Sequence, residues 1–316
     1  MDKSFYYWKT IYKLNHEEQF ILDTLHVNSL YVRYFDVDWD DKSKQAIPKA
    51  PVYFNEIPKQ KVIPVIFLTN RTLVNIQVED ISVLANKIVH KVNSINANRK
   101  LAYSEIQLDC DWTETSRFKY FLLLKELKMR IGSSKILSAT IRLHQVKFHK
   151  RTGIPPVDKG VLMVYNIANL NDVNSVNSIF DPDIILQYTA QLDQYPLHLD
   201  LAFPVFNQNV LFKNHIFTGV LRDINYFDPN RVPVNFKKIK NNLYLCIRDT
   251  MISNYFIKRE DVLRSEKVDY DQVKRISESL RKQLKSDTFT LLIFDLNSNH
   301  FINKSIDEIN ELFLQK

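Results

Sequence analysis

In residues 103–112, YSEIQLDCDW, polar and hydrophobic residues alternate from Glu105 onward. Side chains of a β-strand point alternately to opposite faces, so this segment is predicted to be a strand with one apolar and one polar face. The polar face carries three carboxylates and one amide, those of Glu105, Gln107, Asp109 and Asp111. A helix is predicted directly afterwards, over 113–131, with Phe118, Phe121, Leu124, Leu127 and Ile131 on its apolar stripe. An exposed antiparallel strand would show the same alternation, but a strand followed at once by a helix is typical of a β/α unit.

Similar patterns recur along the chain and predict eight strands, at 5–12, 29–37, 62–68, 103–112, 136–144, 160–167, 196–206 and 289–296. Helices are predicted in most of the intervals, at about 15–26, 79–95, 113–131, 182–194, 269–286 and 305–314. Such an alternation favours a parallel sheet, and eight units predict an α/β protein with a closed (β/α)8 TIM barrel. The Pro-containing stretch 38–61 is predicted to be a long loop.

An extra segment lies between strands 7 and 8, at about 208–268. It contains a predicted hairpin, NVLFKNHIFTGV, and a further strand, NLYLCIRD. We expect a small α+β insertion on the catalytic face of the barrel, within a single domain that comprises residues 1–316.

Composition excludes several classes of protein. The 316 residues are 45% hydrophobic, which suffices for one large barrel with an insertion or for two modest domains. The chain has four glycines and neither GxGxxG nor GxxxxGK[ST], so a Gly-rich phosphate site is not expected. Its two cysteines cannot form a metal cluster by themselves and do not indicate a disulfide-rich scaffold. No cofactor is expected.

The net charge is +7, with local basic runs at 147–151 (KFHKR), 237–240 and 274–285. No nucleic-acid-binding motif accompanies these runs, so they are expected to be solvated faces, and nucleic acid is not an expected partner. The N-terminus lacks the apolar core of a signal peptide, and no apolar stretch approaches eighteen residues. We therefore expect a cytoplasmic protein without a membrane span, or an exported one whose signal has been removed.

Strand 5 repeats the pattern of strand 4, because Ser138, Thr140, Arg142 and His144 share one parity. If both polar faces point inward, the cation of Arg142 lies next to the strand-4 acids, and buried carboxylates need such partners. For the deeper residues a self-satisfied polar network inside the barrel is an alternative. Active sites of these barrels lie at the C-terminal ends of the strands. The candidate catalytic residues are therefore Asp109, Asp111, Arg142 and His144.

Three motifs in succession resemble the barrels of glycoside hydrolase family 18, which include chitinases and endo-β-N-acetylglucosaminidases. That family has DxDxE on strand 4, Met-x-Tyr-Asp or -Asn on strand 6, and Gly-Leu-Pro-aromatic on strand 7 before an α+β insertion. This chain has LDCDW at 108–112, MVYN at 163–166 and LAFPVF at 201–206. The resemblance implies that Tyr165 and Asn166 orient the N-acetyl group of a glycan substrate, which acts as the nucleophile.

Further candidates for binding a glycan are Gln107 and Asp200 on the polar parity, and the aromatic residues Trp8, Trp39, Trp112 and Phe294. The sequence is also similar to barrel proteins of Bacteroidota that share the EIQxDCDWT and SATIRLHQ runs, a resemblance that implies no activity.

The glutamate that ends the family's strand-4 motif is missing. If Asp109 and Asp111 correspond to the two aspartates, Thr113 stands at the position of the glutamate, and Glu114 comes one residue late on the opposite parity. If the frame slides by two residues, Gln107 takes the first position and Asp111 becomes a shortened acid. Alternate residues of a strand are roughly 6.5 to 7 Å apart, so the two aspartates can share one site with separated pKa values, as proton donation to a glycosidic bond requires.

Three functions remain open. The first is a glycosidase acting on an N-acetylhexosamine-containing glycan, and the second is a catalytically inactive barrel that binds a glycan or a protein. The third is a different hydrolase or lyase that uses Asp109, Asp111, His144 and Asp200, with or without a divalent metal. The spacing of these residues fits no named metal motif, so no metal ligand is predicted. An accessible Asp111 would favour the first function, a mouth plugged by the insertion the second, and four converging ligands the third.

Overall fold

The fold is that of a closed barrel, seen in a computed structural model that describes residues 1–222, 232–240, 242–252 and 254–313. Its strands are β1 (Asp2–Tyr7), β2 (Ser29–Asp40), β3 (Lys61–Leu68), β4 (Glu105–Asp109), β5 (Ile136–Arg142), β6 (Lys159–Met163), β7 (Leu199–Pro204) and β8 (Thr290–Phe294). Each pairs in parallel with the next, and β1 pairs with both β2 and β8, which closes the ring. The predicted (β/α)8 TIM barrel is confirmed.

The helices lie between the strands. They are α1 (His16–Thr24), α2 (Asn70–Asn75), α3 (Ile81–Ala97), α4 (Arg117–Ile131), α5 (Leu143–Lys147), α6 (His149–Thr152), α7 (Pro182–Tyr188), α8 (Tyr270–Arg281) and α9 (Ile306–Glu311). In α1 and α9 the N-terminus is fixed by a reciprocal pair of side-chain hydrogen bonds, from Asn15 with Glu18 and from Ser305 with Glu308. None of the described helices is long and apolar enough to cross a bilayer.

The prediction of a long loop at 38–61 is wrong in part. Residues Gln45–Lys49 form a strand that pairs antiparallel with the end of β2, and Asp36 is opposite Lys49 in this hairpin. The prolines did not exclude a strand, because this one lies at the edge of the sheet, where a missing N–H costs no ladder hydrogen bond. The strand pairs with the C-terminal end of β2 and is not one of the eight strands that close the ring.

The insertion between β7 and β8 has its own antiparallel sheet. The predicted hairpin is confirmed as Gln208–Lys213 with Ile216–Arg222, and the predicted further strand as Leu243–Cys246. Val262–Glu266 pairs with both Gln208–Lys213 and Leu243–Cys246 and so holds this sheet together.

The N-terminal half of the barrel interior contains a buried charged network. The ammonium group of Lys159 lies 2.9 Å from Oε2 of Glu105 and 2.8 Å from Oδ2 of Asp200. Tyr31 and Ser138 donate hydrogen bonds to Oε1 of Glu105, at 3.0 and 2.6 Å. The polar parity of β4, β5 and β7 therefore points inward, as the sequence predicted.

Candidate functional site

The two candidate acids of β4 lie at different depths. The carboxylate of Asp109 is buried, with 6% of its side chain exposed, and its Oδ1 accepts a hydrogen bond of 2.6 Å from Oγ1 of Thr140. Asp111 comes two residues after Asp109, beyond the end of the strand, and 61% of its side chain is exposed. One acid is thus part of the barrel interior and the other meets solvent at the mouth.

Arg142, the last residue of β5, contacts both acids. Its Nη2 lies 3.3 Å from Oδ1 of Asp109, and its Nε donates a short hydrogen bond to Oδ1 of Asp111. Only 15% of the arginine side chain is exposed. A guanidinium group has several donors in a fixed plane, so one side chain can pair with two carboxylates at once.

Burial and charge act in opposite directions on these groups. Burial raises the pKa of Asp109, while the charge of Arg142 and the hydrogen bond from Thr140 lower it, with a net rise. Burial alone would lower the pKa of Arg142, but the charges of Asp109 and Asp111 outweigh it and raise the pKa. The arginine is therefore permanently charged, and it supports the charge of an acid that burial disfavours.

An open pocket of about 550 Å³ lies at the C-terminal ends of β4, β5 and β6. Its lining residues are Asp111, Trp112, Thr113, Arg142, Leu143, His144, Tyr165, Asn166, Ile167 and Tyr188. The pocket therefore contains three of the four predicted catalytic residues. The fourth, Asp109, lies beneath its floor and contacts it through Arg142.

His144 reaches the pocket from a different element than predicted. The strand ends at Arg142 and His144 lies in the short helix α5, so its expected inward strand position is wrong. The backbone turns here because the N–H of Arg142 donates to Oε1 of Gln145, which begins the helix. Burial and the positive charge of Arg142 lower the pKa of His144.

Tyr165 and Asn166 both line the pocket, after the end of β6. Tyr165 is 3% exposed and packs against Phe294 with 5.2 Å between ring centroids, so it presents an aromatic wall. Asn166 is exposed and has a positive φ of 56°, a conformation that Asn tolerates better than most residues. Its backbone N–H donates a hydrogen bond to the carbonyl of Ile179, which fixes the backbone at this point of the pocket wall.

Two predicted binding residues lie away from the pocket. Gln107 is fully buried, and its Oε1 accepts a hydrogen bond of 2.8 Å from the hydroxyl of Tyr6. Asp200 belongs to the network around Lys159 at the opposite end of the barrel, so its expected role in contacting substrate does not follow from its position. It has the predicted parity, but it is the second residue of β7 and lies near the N-terminal end of that strand.

The aromatic candidates are mainly packing residues. Trp112 lines the pocket but is 3% exposed and stacks on Tyr120, with centroids 4.9 Å apart and planes at 21°. Sequence reasoning missed Tyr188, which lines the pocket from the last turn of α7. No sequence signal indicated it, because its position depends on how α7 packs beside α5.

The polar residues of β4 and of the segment after it lie at different depths. Gln107 and Asp109 are buried and Asp111 is exposed at the mouth, so Asp111 occupies the outermost position and Thr113 lies beyond it on the pocket wall. Within the described parts of the chain, no three His, Cys, Asp or Glu side chains converge as metal ligands.

Neither a protein-family model nor a curated protein sequence matches this chain. Solved structures do match it over nearly its whole length. The spore cortex-lytic enzyme SleL of Bacillus megaterium is 13% identical with a TM-score of 0.54, over 97% of this chain and 73% of that one. A family 18 N-acetylglucosaminidase from Paenibacillus barengoltzii is 9% identical with a TM-score of 0.51, over 98% and 99%. The chitinase-like agglutinin RobpsCRA from Robinia pseudoacacia is 10% identical with a TM-score of 0.52, over 98% and 99%. The fold is therefore similar to that of a family 18 N-acetylglucosaminidase and of a chitinase-like agglutinin.

Proposed function

We propose that the pocket binds an N-acetylhexosamine-containing glycan and that the protein does not hydrolyse it. The observation that carries this proposal is the pairing of Arg142 with both Asp109 and Asp111. A general acid must present a proton to the glycosidic oxygen. Asp111 supplies the one carboxylate among the described lining residues, and its Oδ1 accepts a hydrogen bond from the guanidinium group of Arg142, so this oxygen is already engaged within the protein.

The pocket has the properties of a sugar-binding site. Its volume of about 550 Å³ is within the usual range for small ligands. Tyr165 and Tyr188 offer apolar faces, and the amide of Asn166 can both donate to and accept from an N-acetyl group. The similar structures include proteins named as an N-acetylglucosaminidase and as an agglutinin, so hydrolysis is not the only function that accompanies this fold.

Titration calorimetry with chitotetraose, combined with mass spectrometry of the incubated mixture, tests both parts of the proposal. We expect a saturable heat of binding and intact tetrasaccharide after prolonged incubation. Absence of binding would reject the pocket as a site for N-acetylhexosamines. Shorter products would reject the non-hydrolytic part.

Hydrolysis is the second candidate, and the 61% exposure of Asp111 favours it. If a bound glycan opens the pair with Arg142, Asp111 can reach the glycosidic oxygen. Asp111→Asn keeps the shape but removes the acid, so in this case turnover should fall by several orders of magnitude while the melting temperature stays close to that of the wild type. Unchanged turnover in Asp111→Asn would exclude Asp111 as the acid.

A further inference from the structure

A ridge of aromatic and basic side chains borders one side of the pocket. We call it the basic ridge and define it as Lys147, Phe148, Arg151 and Tyr188. The ammonium group of Lys147 lies 4.7 Å from the ring centroid of Tyr188 and 5.5 Å from that of Phe148. The guanidinium group of Arg151 lies 5.1 Å from the ring centroid of Phe148. The four side chains therefore form one continuous surface.

Both ends of the basic ridge join the pocket. Tyr188 lines the pocket itself. At the other end, Nε of Arg151 lies 2.5 Å from Oε1 of Glu114, the residue that follows the lining residue Thr113. A linear ligand that extends out of the pocket on this side must therefore cross the ridge.

The ridge has an excess of positive charge. Residues 143–152, LHQVKFHKRT, include three Lys or Arg and no acid. Lys147, Lys150 and Arg151 are exposed, and Glu114 is the carboxylate that pairs with Arg151. Asp183, the acid of α7, lies at the opposite end of that helix from Tyr188. Inside the pocket, Asp111 is paired with Arg142 and does not neutralise Lys147.

We propose that the basic ridge binds a carboxylate group on the glycan whose N-acetylhexosamine unit occupies the pocket, so that the ligand is an acidic polysaccharide. This inference rests on the proposed glycan-binding function and specifies its ligand class. Phe148, 38% exposed, and Tyr188 contribute aromatic surface to the ridge, and Lys147 over the Tyr188 ring and Arg151 over the Phe148 ring place positive charge there to pair with an anionic substituent.

The test uses a matched pair of ligands. A hyaluronan tetrasaccharide alternates N-acetylglucosamine with a carboxylated sugar, and its carboxyl-reduced form has the same chain without the charge. Wild-type protein should bind the acidic form more tightly. The variant Lys147→Gln/Arg151→Gln should bind it roughly three- to tenfold more weakly, as loss of two exposed charge contacts predicts. Its affinity for the reduced form and for chitotetraose should be unchanged.

The matched control is Lys282→Gln/Lys285→Gln, which removes the same charge from exposed positions after the end of α8, at the opposite end of the barrel. It should leave all three affinities at the wild-type values. The advantage of the acidic ligand should also shrink as ionic strength increases to roughly 0.5 M, because the contacts are exposed.

The outcomes separate the two proposals. If chitotetraose binds but the acidic and reduced ligands bind equally well, the ridge proposal is overturned and the pocket proposal stands. If neutral glycans do not bind while the acidic one binds through Lys147 and Arg151, the ridge stands and the neutral pocket proposal fails. An octauridylate that binds as tightly as the acidic glycan, with the same loss in the ridge variant, would show unspecific polyanion binding and overturn the ridge as a glycan site.

Discussion

Arg142 compensates the negative charges of Asp109 and Asp111 at the mouth of the barrel. Asp109 is buried and has a raised pKa even with a guanidinium group 3.3 Å away. Removing one partner of a buried pair leaves the other charge without compensation, which typically costs more than the pair contributes.

We expect Arg142→Met to lose about 3 to 5 kcal/mol of unfolding free energy at neutral pH. Without the arginine, the pKa of Asp109 in the folded state rises further above its unfolded value of about 3.9. A group with a raised carboxyl pKa holds its proton more tightly in the folded state, so stability falls as the pH rises through this window. The deficit relative to wild type should therefore be largest at neutral pH and smallest near pH 4. Urea denaturation of both proteins across this range measures it.

The double variant Arg142→Met/Asp109→Asn provides the control. It removes the buried charge together with its partner, so it should recover much of the lost stability at pH 7 and should show a weaker pH dependence. An Arg142→Met protein as stable as wild type at every pH would contradict the buried pairing.

Asn166 allows a second residue-scale prediction, for glycan affinity. Asn166→Gly removes the whole side chain with its amide and accepts the positive φ without strain, whereas Ala would add backbone strain. Loss of one hydrogen bond of about 0.5 to 1.5 kcal/mol corresponds to a roughly two- to tenfold higher Kd for chitotetraose. An unchanged Kd would show that the amide does not contact the ligand. The melting temperature should stay within a few degrees of the wild-type value.

At the scale of elements, the sequence predicted the strands well and their C-terminal ends poorly. Alternation identified β5, but it continued through His144, where the chain already forms α5. A polar residue two positions after Arg142 fits the alternation of a strand and also fits the exposed side of a helix that begins at Leu143. The pattern of polar residues alone therefore cannot show where the strand ends. Helical spacing also placed Phe118 on the buried stripe of α4, but it is 67% exposed and Tyr120 is buried in its place. The sequence predicted the site residues from their positions at the ends of strands, and it did not predict the distances between their side chains.

The insertion is connected to the pocket wall through Glu266. This carboxylate is fully buried and accepts hydrogen bonds from the backbone N–H and the hydroxyl of Ser178, at 3.0 and 2.7 Å, and from Arg264 at 2.7 Å. The carbonyl of Ser178 in turn accepts a hydrogen bond from the N–H of Ile167, which lines the pocket. The insertion therefore positions the segment that presents Asn166.

We expect Glu266→Gln to loosen this connection. The substitution preserves size but leaves Arg264 buried without its anion, which should cost about 3 to 5 kcal/mol. Hydrogen exchange at the amide of Ile167 should accelerate, and affinity for chitotetraose should fall with it. The exposed residue Glu79, in the short turn before α3, supplies the control, since Glu79→Gln should change neither measurement. Unaltered exchange at Ile167 in Glu266→Gln would show that the wall is held by other contacts.

At the scale of the whole molecule, the barrel has two separate polar layers. The upper layer, with Asp109 and Arg142, borders the pocket. The lower layer, around Lys159, connects strands that are distant in the chain: its ammonium group contacts the hydroxyl of Tyr31 on β2, Glu105 on β4 and Asp200 on β7. Sequence parity predicted the acids of this layer but missed their cation, since strand 6 was expected to begin one residue after Lys159.

Lys159→Met should therefore destabilise the whole barrel rather than the pocket. It leaves two buried carboxylates without a cation, and we expect a loss of about 3 to 5 kcal/mol at pH 7. Burial alone would lower the pKa of Lys159, but Asp200 and Glu105 outweigh it and raise the pKa. For a raised lysine pKa, the stabilising contribution is complete below the unfolded value of about 10.4 and is lost as the pH rises through the folded value. The stability difference between wild type and Lys159→Met should thus be constant from neutral pH to about pH 10 and shrink above it.

Lys61→Met, at an exposed position at the same end of the barrel, should cause no comparable loss at any pH. Equal unfolding midpoints in urea for wild type and Lys159→Met would mean that the lower layer does not hold the barrel together.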